Sequence, residues 1–183
     1  MSKTTSQDIK ATLWKAAGTF RGTIDAANYK DFVLSMLFLK YLNDTYKEHV
    51  KELEERYNGN EIRIERAKRN LPFILGEKES FDYLYEHRFD PKIGEMINLA
   101  LQGIQDNNSE LRGVFRSINF NSEAMLGNPQ QKVTKLRSLL EDFNPLCLEP
   151  SQIEVGPGKD PAYVIGDAYE YIVGEFAAEK RKK

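Results

Sequence analysis

Cysteine is almost missing from this chain: Cys147 is the only one in 183 residues. No intrachain disulfide can form, so noncovalent packing must hold the fold. Net charge is also small, −2 over the whole chain, which argues against a polyanion-binding surface spread over the molecule. Long apolar runs are absent. The longest, Phe32 to Leu42, has eleven residues and is interrupted by Ser35 and Lys40, whereas a membrane-spanning helix needs about twenty. The opening MSKTTSQDIK has no apolar segment and does not read as a signal peptide. A cytoplasmic protein without a membrane role is the expectation. Histidine is scarce too. His49 and His87 are far apart and have no ligand partner at helical spacing, so no zinc site is expected. No internal repeat, heptad array or low-complexity tract is present.

What is present is a helical pattern along nearly the whole chain. Thr5 and Asp8 fit a capping box, and Ile9, Leu13, Ala16, Ala17 and Phe20 follow at helical spacing. Gly22 is expected to stop that helix. Asn28 is a candidate cap for a second, long helix over 28–56, with Asp31 favouring its positive end. Phe32, Val33, Met36, Leu37, Leu39 and Leu42 surround its axis, as in a helix central to its bundle. From Lys47 to Arg56 the pattern turns charged, and Asn58-Gly59 ends it. Shorter helices are expected over 61–70, 79–87, 91–106, 129–143 and 161–178, three of them opening on Pro91, Pro129 and Pro161. Residues 149–160, EPSQIEVGPGKD, read as a loop, with at most a short extended piece at 153–155. The expected fold is all-α, a compact multi-helix domain around helix 28–56.

The densest stretch is LWKAAGTFRGTIDAANYKDFVLSMLFLKYLND, residues 13–44, where two helical patterns meet at Arg21-Gly22-Thr23. It resembles the run that opens the modification subunit, HsdM, of type I restriction–modification systems. Leu13, Trp14, Arg21, Gly22, Asp25, Tyr29, Lys30, Asp31 and the segment Leu37 to Leu42 all fall on it. The far end agrees: Val164, Gly166, Tyr169, Glu170, Tyr171, Gly174, Phe176 and Ala177 fit the stretch that closes the same N-terminal domain. Between 58 and 152 the resemblance is loose, with Phe81-Asp82-Tyr83-Leu84 standing where the family has an aromatic anchor.

The resemblance implies an N-terminal domain over residues 1–179, with 180–183 beginning a linker to a catalytic methyltransferase domain. It implies a parent enzyme that transfers methyl from S-adenosylmethionine to adenine in double-stranded DNA. The implied partners are a specificity subunit, a second modification subunit and a restriction subunit. An adenine methyltransferase needs a glycine-rich turn after a strand and a loop of the Asn/Asp-Pro-Pro-aromatic type that holds the flipped base. Neither is found. Asn144-Pro145-Leu146-Cys147 follows Glu141-Asp142 and offers no ring, so it reads as a helix stop. No cofactor and no catalytic residue are therefore expected within this chain.

The candidate contacts to DNA are basic. Residues 1–70 carry 13 Lys and Arg against 10 Asp and Glu. Arg63, Arg66 and Arg69 are spaced by three and share a helix face that could track phosphates, or pair with Glu61 and Glu65. Arg21 and Lys30, at the bend between the first two helices, either reach DNA or pair with Asp25 or Asp31. Lys40 is the odd residue of the core helix, and Asp44 one turn later is its natural structural partner. Gly156-Pro157-Gly158-Lys159 lacks P-loop spacing and reads as a connector. A second functional reading is a helical protein–protein interaction module without a DNA role, which suits the acidic middle: residues 71–150 carry 8 basic against 12 acidic groups. A third, a hydrolase using Cys147 and His87, rests on residue type alone.

Overall fold

The computed structural model describes residues 2–22, 24–115 and 118–181. Thr23 of the expected turn and Lys182 and Lys183 of the basic tail lie outside the described residues. The α-helices are α1 (Ser6–Gly18), α2 (Ala26–Arg56), α3 (Glu61–Lys68), α4 (Phe81–Glu86), α5 (Ile93–Asn107), α6 (Glu123–Leu126), α7 (Pro129–Phe143) and α8 (Pro161–Arg181). Single 3₁₀ turns lie at Glu77–Glu79, Ser109–Leu111 and Pro150–Gln152. The fold is all-α, and no strand is formed among the described residues.

α1 starts as its cap demands. The Asp8 amide donates to Thr5 Oγ1 at 3.1 Å and the Thr5 amide donates to Asp8 Oδ2 at 2.9 Å. These bonds to its charged form hold the Asp8 carboxyl below its ordinary range. The helix ends at Gly18, four residues before the expected stop. The chain turns early because Phe20 is drawn into the core, stacking on Phe32 at 5.7 Å and Tyr29 at 6.3 Å. Gly22, at φ +81°, then supplies the left-handed step.

α2 begins after Asp25, not at Asn28. The Asp25 carbonyl accepts from the amides of Asn28 and Tyr29, closing the first turn three residues sooner. Ile24 and Tyr29, both buried, flank that start at the spacing of a hydrophobic staple. α2 packs against α1, α3, α4, α7 and α8, as a helix apolar on most sides must. It ends where Asn58 (φ +49°) and Gly59 (φ +75°) take left-handed conformations, as the sequence indicated.

Lys40 is buried in this core. Its Nζ donates to Asp44 Oδ1 at 2.8 Å and Oδ2 at 2.7 Å. The same carboxylate accepts from Asn43 Nδ2 at 3.0 Å and from the Leu148 amide at 2.8 Å. A buried charge pair offsets its desolvation only when its remaining lone pairs are also filled, and here α2 neighbours and the loop after α7 fill them. That loop is clasped again at its far end. The Thr4 amide donates to the Gln152 carbonyl at 2.7 Å and the Glu154 amide donates to the Thr4 carbonyl at 2.8 Å. Thr4 and Ile153 thus form a parallel bridge, which accounts for the extended piece expected near 153–155.

α7 runs from Pro129 with Asn128 as its cap, as expected. α5 starts at Ile93, because Asp90 and Pro91 are spent on a preceding turn closed by the Lys92 amide donating to Asp90 Oδ1. Gly94 lets α5 approach the chain at Phe120: a Cβ there would stand 2.4 Å from the Phe120 carbonyl oxygen. α6, where the sequence suggested only a break at Asn121-Ser122, is a single turn capped by Ser122. α8 lays Ile165, Ala168 and Ile172 on α1 and α2. Among the described residues no helix is long and apolar enough to cross a membrane.

Candidate nucleic-acid interface

The five basic candidates divide into two places at opposite ends of α2. Lys30 stands in its first turns and Arg21 in the turn before it. Arg63 and Arg66 face the last turn of α2, from α3. At 1.5 Å per residue, Lys30 and Arg56 are roughly 40 Å apart along the helix. The two groups cannot form one site.

At the first place, the Arg21 guanidinium lies over the Trp14 ring, 3.5 Å from its centroid. Trp14 is 40% exposed, so this stacked pair sits at the surface. Cation–π stacking fixes the guanidinium plane, and its Nε and Nη2 are buried rather than turned to solvent.

At the second place, α2 and α3 form a helical hairpin through the turn 57–60. Asn60 caps α3 by accepting from the Arg63 amide at 3.2 Å. Ile64 is the buried residue of this short helix, so it fixes which face α3 turns outward. An open cleft of about 450 Å³ lies between the helices, lined by Leu53, Arg56, Tyr57, Arg63, Arg66, Ala67, Asn70 and Leu71. No carboxylate lines it. Among the described residues no ion pair involves Arg63, Arg66 or Arg69. Glu65 pairs instead with Lys68 at 2.8 Å. That hydrogen bond pushes the Lys68 ammonium above its ordinary range. Arg69 caps the C-terminus of α3 and is exposed, but it does not line the cleft. The cleft adds two residues that the sequence did not single out, Arg56 and Tyr57. Their signal was the Asn58-Gly59 reversal, which folds the end of α2 back against α3.

The remaining candidates are held in structural roles. Asn144 is the C-cap of α7, and the Leu146 amide donates to the Phe143 carbonyl, making Asn144 to Cys147 a turn. His87 packs at a tilt against Tyr83 with centroids 4.1 Å apart, and its Nδ1 lies 2.8 Å from the Tyr83 carbonyl oxygen. Cys147 belongs to a different neighbourhood, where its carbonyl accepts from Thr4 Oγ1 at 2.7 Å. Gly156 to Lys159 is an exposed turn with Gly158 at φ +74°. Among the described residues no group of three acidic, His or Cys side chains is placed to hold a metal.

Comparison with known proteins bears on both the fold and the matched run. The family model of the HsdM N-terminal domain matches residues 9–143. The type I restriction enzyme MjaIX methylase subunit of Methanocaldococcus jannaschii is 26% identical, over 96% of this chain and 32% of its own length. The type I restriction enzyme MpnII methylase subunit of Mycoplasma pneumoniae is 24% identical, over 95% of this chain and 36% of its own. The chain thus spans about a third of the length of these relatives. The crystal structure of the type I restriction-modification system methyltransferase subunit from Streptococcus thermophilus superposes with a TM-score of 0.73. It is 24% identical, over 94% of this chain and 39% of that one, so it supports the fold. With the family model matched across α1 to α7, the chain belongs to the HsdM N-terminal domain family.

Proposed function

We propose that this domain clamps double-stranded DNA and contacts neighbouring subunits within a type I restriction–modification methyltransferase. The observation that carries the reading is the family match over residues 9–143. The exposed, carboxylate-free arginines of α3 are in keeping with it. In this reading residues 1–179 are the helical N-terminal unit of a modification subunit. The whole subunit transfers methyl from S-adenosylmethionine to adenine, in the cytoplasm, through a catalytic domain of its own. This chain has no strand-borne glycine turn and no base-holding loop, so its share is binding and assembly. Its partners are the specificity subunit, a second modification subunit and the restriction subunit.

The test uses the full modification subunit assembled with its specificity subunit. Replacing Arg63, Arg66 and Arg69 by Ala is expected to weaken DNA binding on every sequence. Each lost phosphate contact flattens the salt dependence by about 0.9 of log–log slope. The recognised sequence stays the same, because base reading lies in another subunit. Unchanged affinity and slope in an intact assembly would return this face to plain solvation. Loss of assembly would make it a protein interface and favour an interaction module without a DNA role.

A further inference from the structure

We infer that the cleft between the end of α2 and α3 is a seat for one backbone phosphate, in which Arg56 and Tyr57 act together with Arg63 and Arg66. The inference rests on the DNA-clamping reading and gives it a place. It also changes the expected set, since Arg56 enters and Arg69 leaves.

Three features of the cleft point to a phosphate. The first is unbalanced charge. Arg56, Arg63 and Arg66 line one open space with no acidic side chain among the lining residues. On α3, Glu65, which lies between Arg63 and Arg66 in sequence, is committed to Lys68 at 2.8 Å. Like charges sharing a space repel, and an anion between them removes that repulsion. The second is donor chemistry. Three planar guanidinium forks, the Tyr57 hydroxyl and the Asn70 amide offer hydrogens to a group with several acceptor oxygens. Guanidinium suits the oxygens of a phosphate better than a compact ammonium does. The third is a fixed frame. The turn is closed by the Tyr57 amide donating to the Leu53 carbonyl and the Asn60 amide donating to the Tyr57 carbonyl, both at 3.0 Å. Leu53 of α2 and Ile64 of α3 are both buried where the two helices pack on each other, outside the main core. The arginines therefore stand on elements already set in place, which lowers the cost of ordering them around a ligand. A contact to a backbone phosphate positions the duplex and does not read its sequence.

The test is side-chain NMR of the 183-residue chain, following arginine Nε–Hε signals at low salt. A short DNA duplex, inorganic phosphate and a poly-glutamate peptide are titrated separately, each to ~0.1 mM or above, within the range of nonspecific affinities. The duplex is expected to shift Arg56, Arg63 and Arg66 together and leave Arg69 in place. Phosphate is expected to shift the same three more weakly. Arg56→Ala is expected to lower duplex affinity severalfold and flatten the salt slope by about one unit, and Tyr57→Phe to have a smaller effect. Arg69→Ala should match wild type. The amide spectrum of each variant reports whether it is folded. If duplex shifts Arg21 but not the cleft arginines, the seat is overturned while DNA clamping survives. Equal effects of Arg63→Ala, Arg66→Ala and Arg69→Ala with none from Arg56→Ala would restore a simple stripe on α3. Poly-glutamate shifting these signals while duplex does not would make the cleft a protein-binding site. No shift with any of the three overturns the seat outright.

Discussion

Between Phe32 and Thr45 every residue of α2 is buried except Phe38 and Tyr41, whereas between Tyr46 and Arg56 only Leu53 is buried. One continuous helix therefore passes from an environment that fixes every side chain to one that leaves most free. In the first half even the charges are internal, as in Lys40 with Asp44. In the second half the charges face water, and arginines collect where α3 folds back. The family-like run of residues 13–44 ends as the buried half does. From Phe32 onward that run is thus mainly a record of packing, and the proposed phosphate seat lies beyond it. A strongly patterned motif and a functional surface need not coincide.

Asp44→Ala tests the buried half most severely. It leaves the Lys40 ammonium buried without its partner and the Leu148 amide without its acceptor. A loss of about 3–5 kcal/mol is expected from urea unfolding. A loss below about 1 kcal/mol would mean that water reaches Lys40 and that the contrast is overstated. Leu37→Ala follows, at about 2–5 kcal/mol, since Leu37 is 0% exposed. A thermal midpoint equal to wild type would show that this helix is not central. Thr5→Ala removes an exposed cap and is expected to cost about 1 kcal/mol at neutral pH. The Asp8 carboxyl is held below 3.8 in the folded chain. Its contribution is therefore full above that value and fades as pH falls through the lowered one. The gap between variant and wild type should narrow in acid, and a gap constant down to pH ~2 would contradict the assigned cap. Arg66→Ala, on α3 facing the solvated end of α2, is expected to change stability by less than about 0.5 kcal/mol. A larger loss by calorimetry would show that the cleft arginines hold the hairpin together.

The elements that the sequence made legible are those whose signals are local. α7 carries a cap, a first-turn proline and a full apolar period within fifteen residues. The Lys40–Asp44 pair is one helical turn apart and was readable for the same reason. Leu148, which completes that pair, is 104 residues from Asp44, and no spacing rule reaches so far. α6 has four residues, too few to show a period. The local signal for the start of α2 is Asn28 with Asp31 three residues on, whereas Asp25 begins the helix without a side-chain cap hydrogen bond. The burial of Ile24 and Tyr29 outweighed that local preference. At the candidate site Arg63 and Arg66 were legible as a stripe. Arg56 and Tyr57 were not, because their place opposite α3 depends on how the hairpin closes.

The bridge between Thr4 and Ile153 has a consequence for the order in which the molecule is made. During synthesis the first helix leaves the ribosome long before the segment that clasps its leading end. It also waits for α7 and α8, two of the helices against which it packs. Closing so long a loop costs entropy that only late contacts repay. α1, made before α2 to α8, is thus among the last of these helices to be secured, and its apolar face, Ile9 to Ala17, waits longest for its cover.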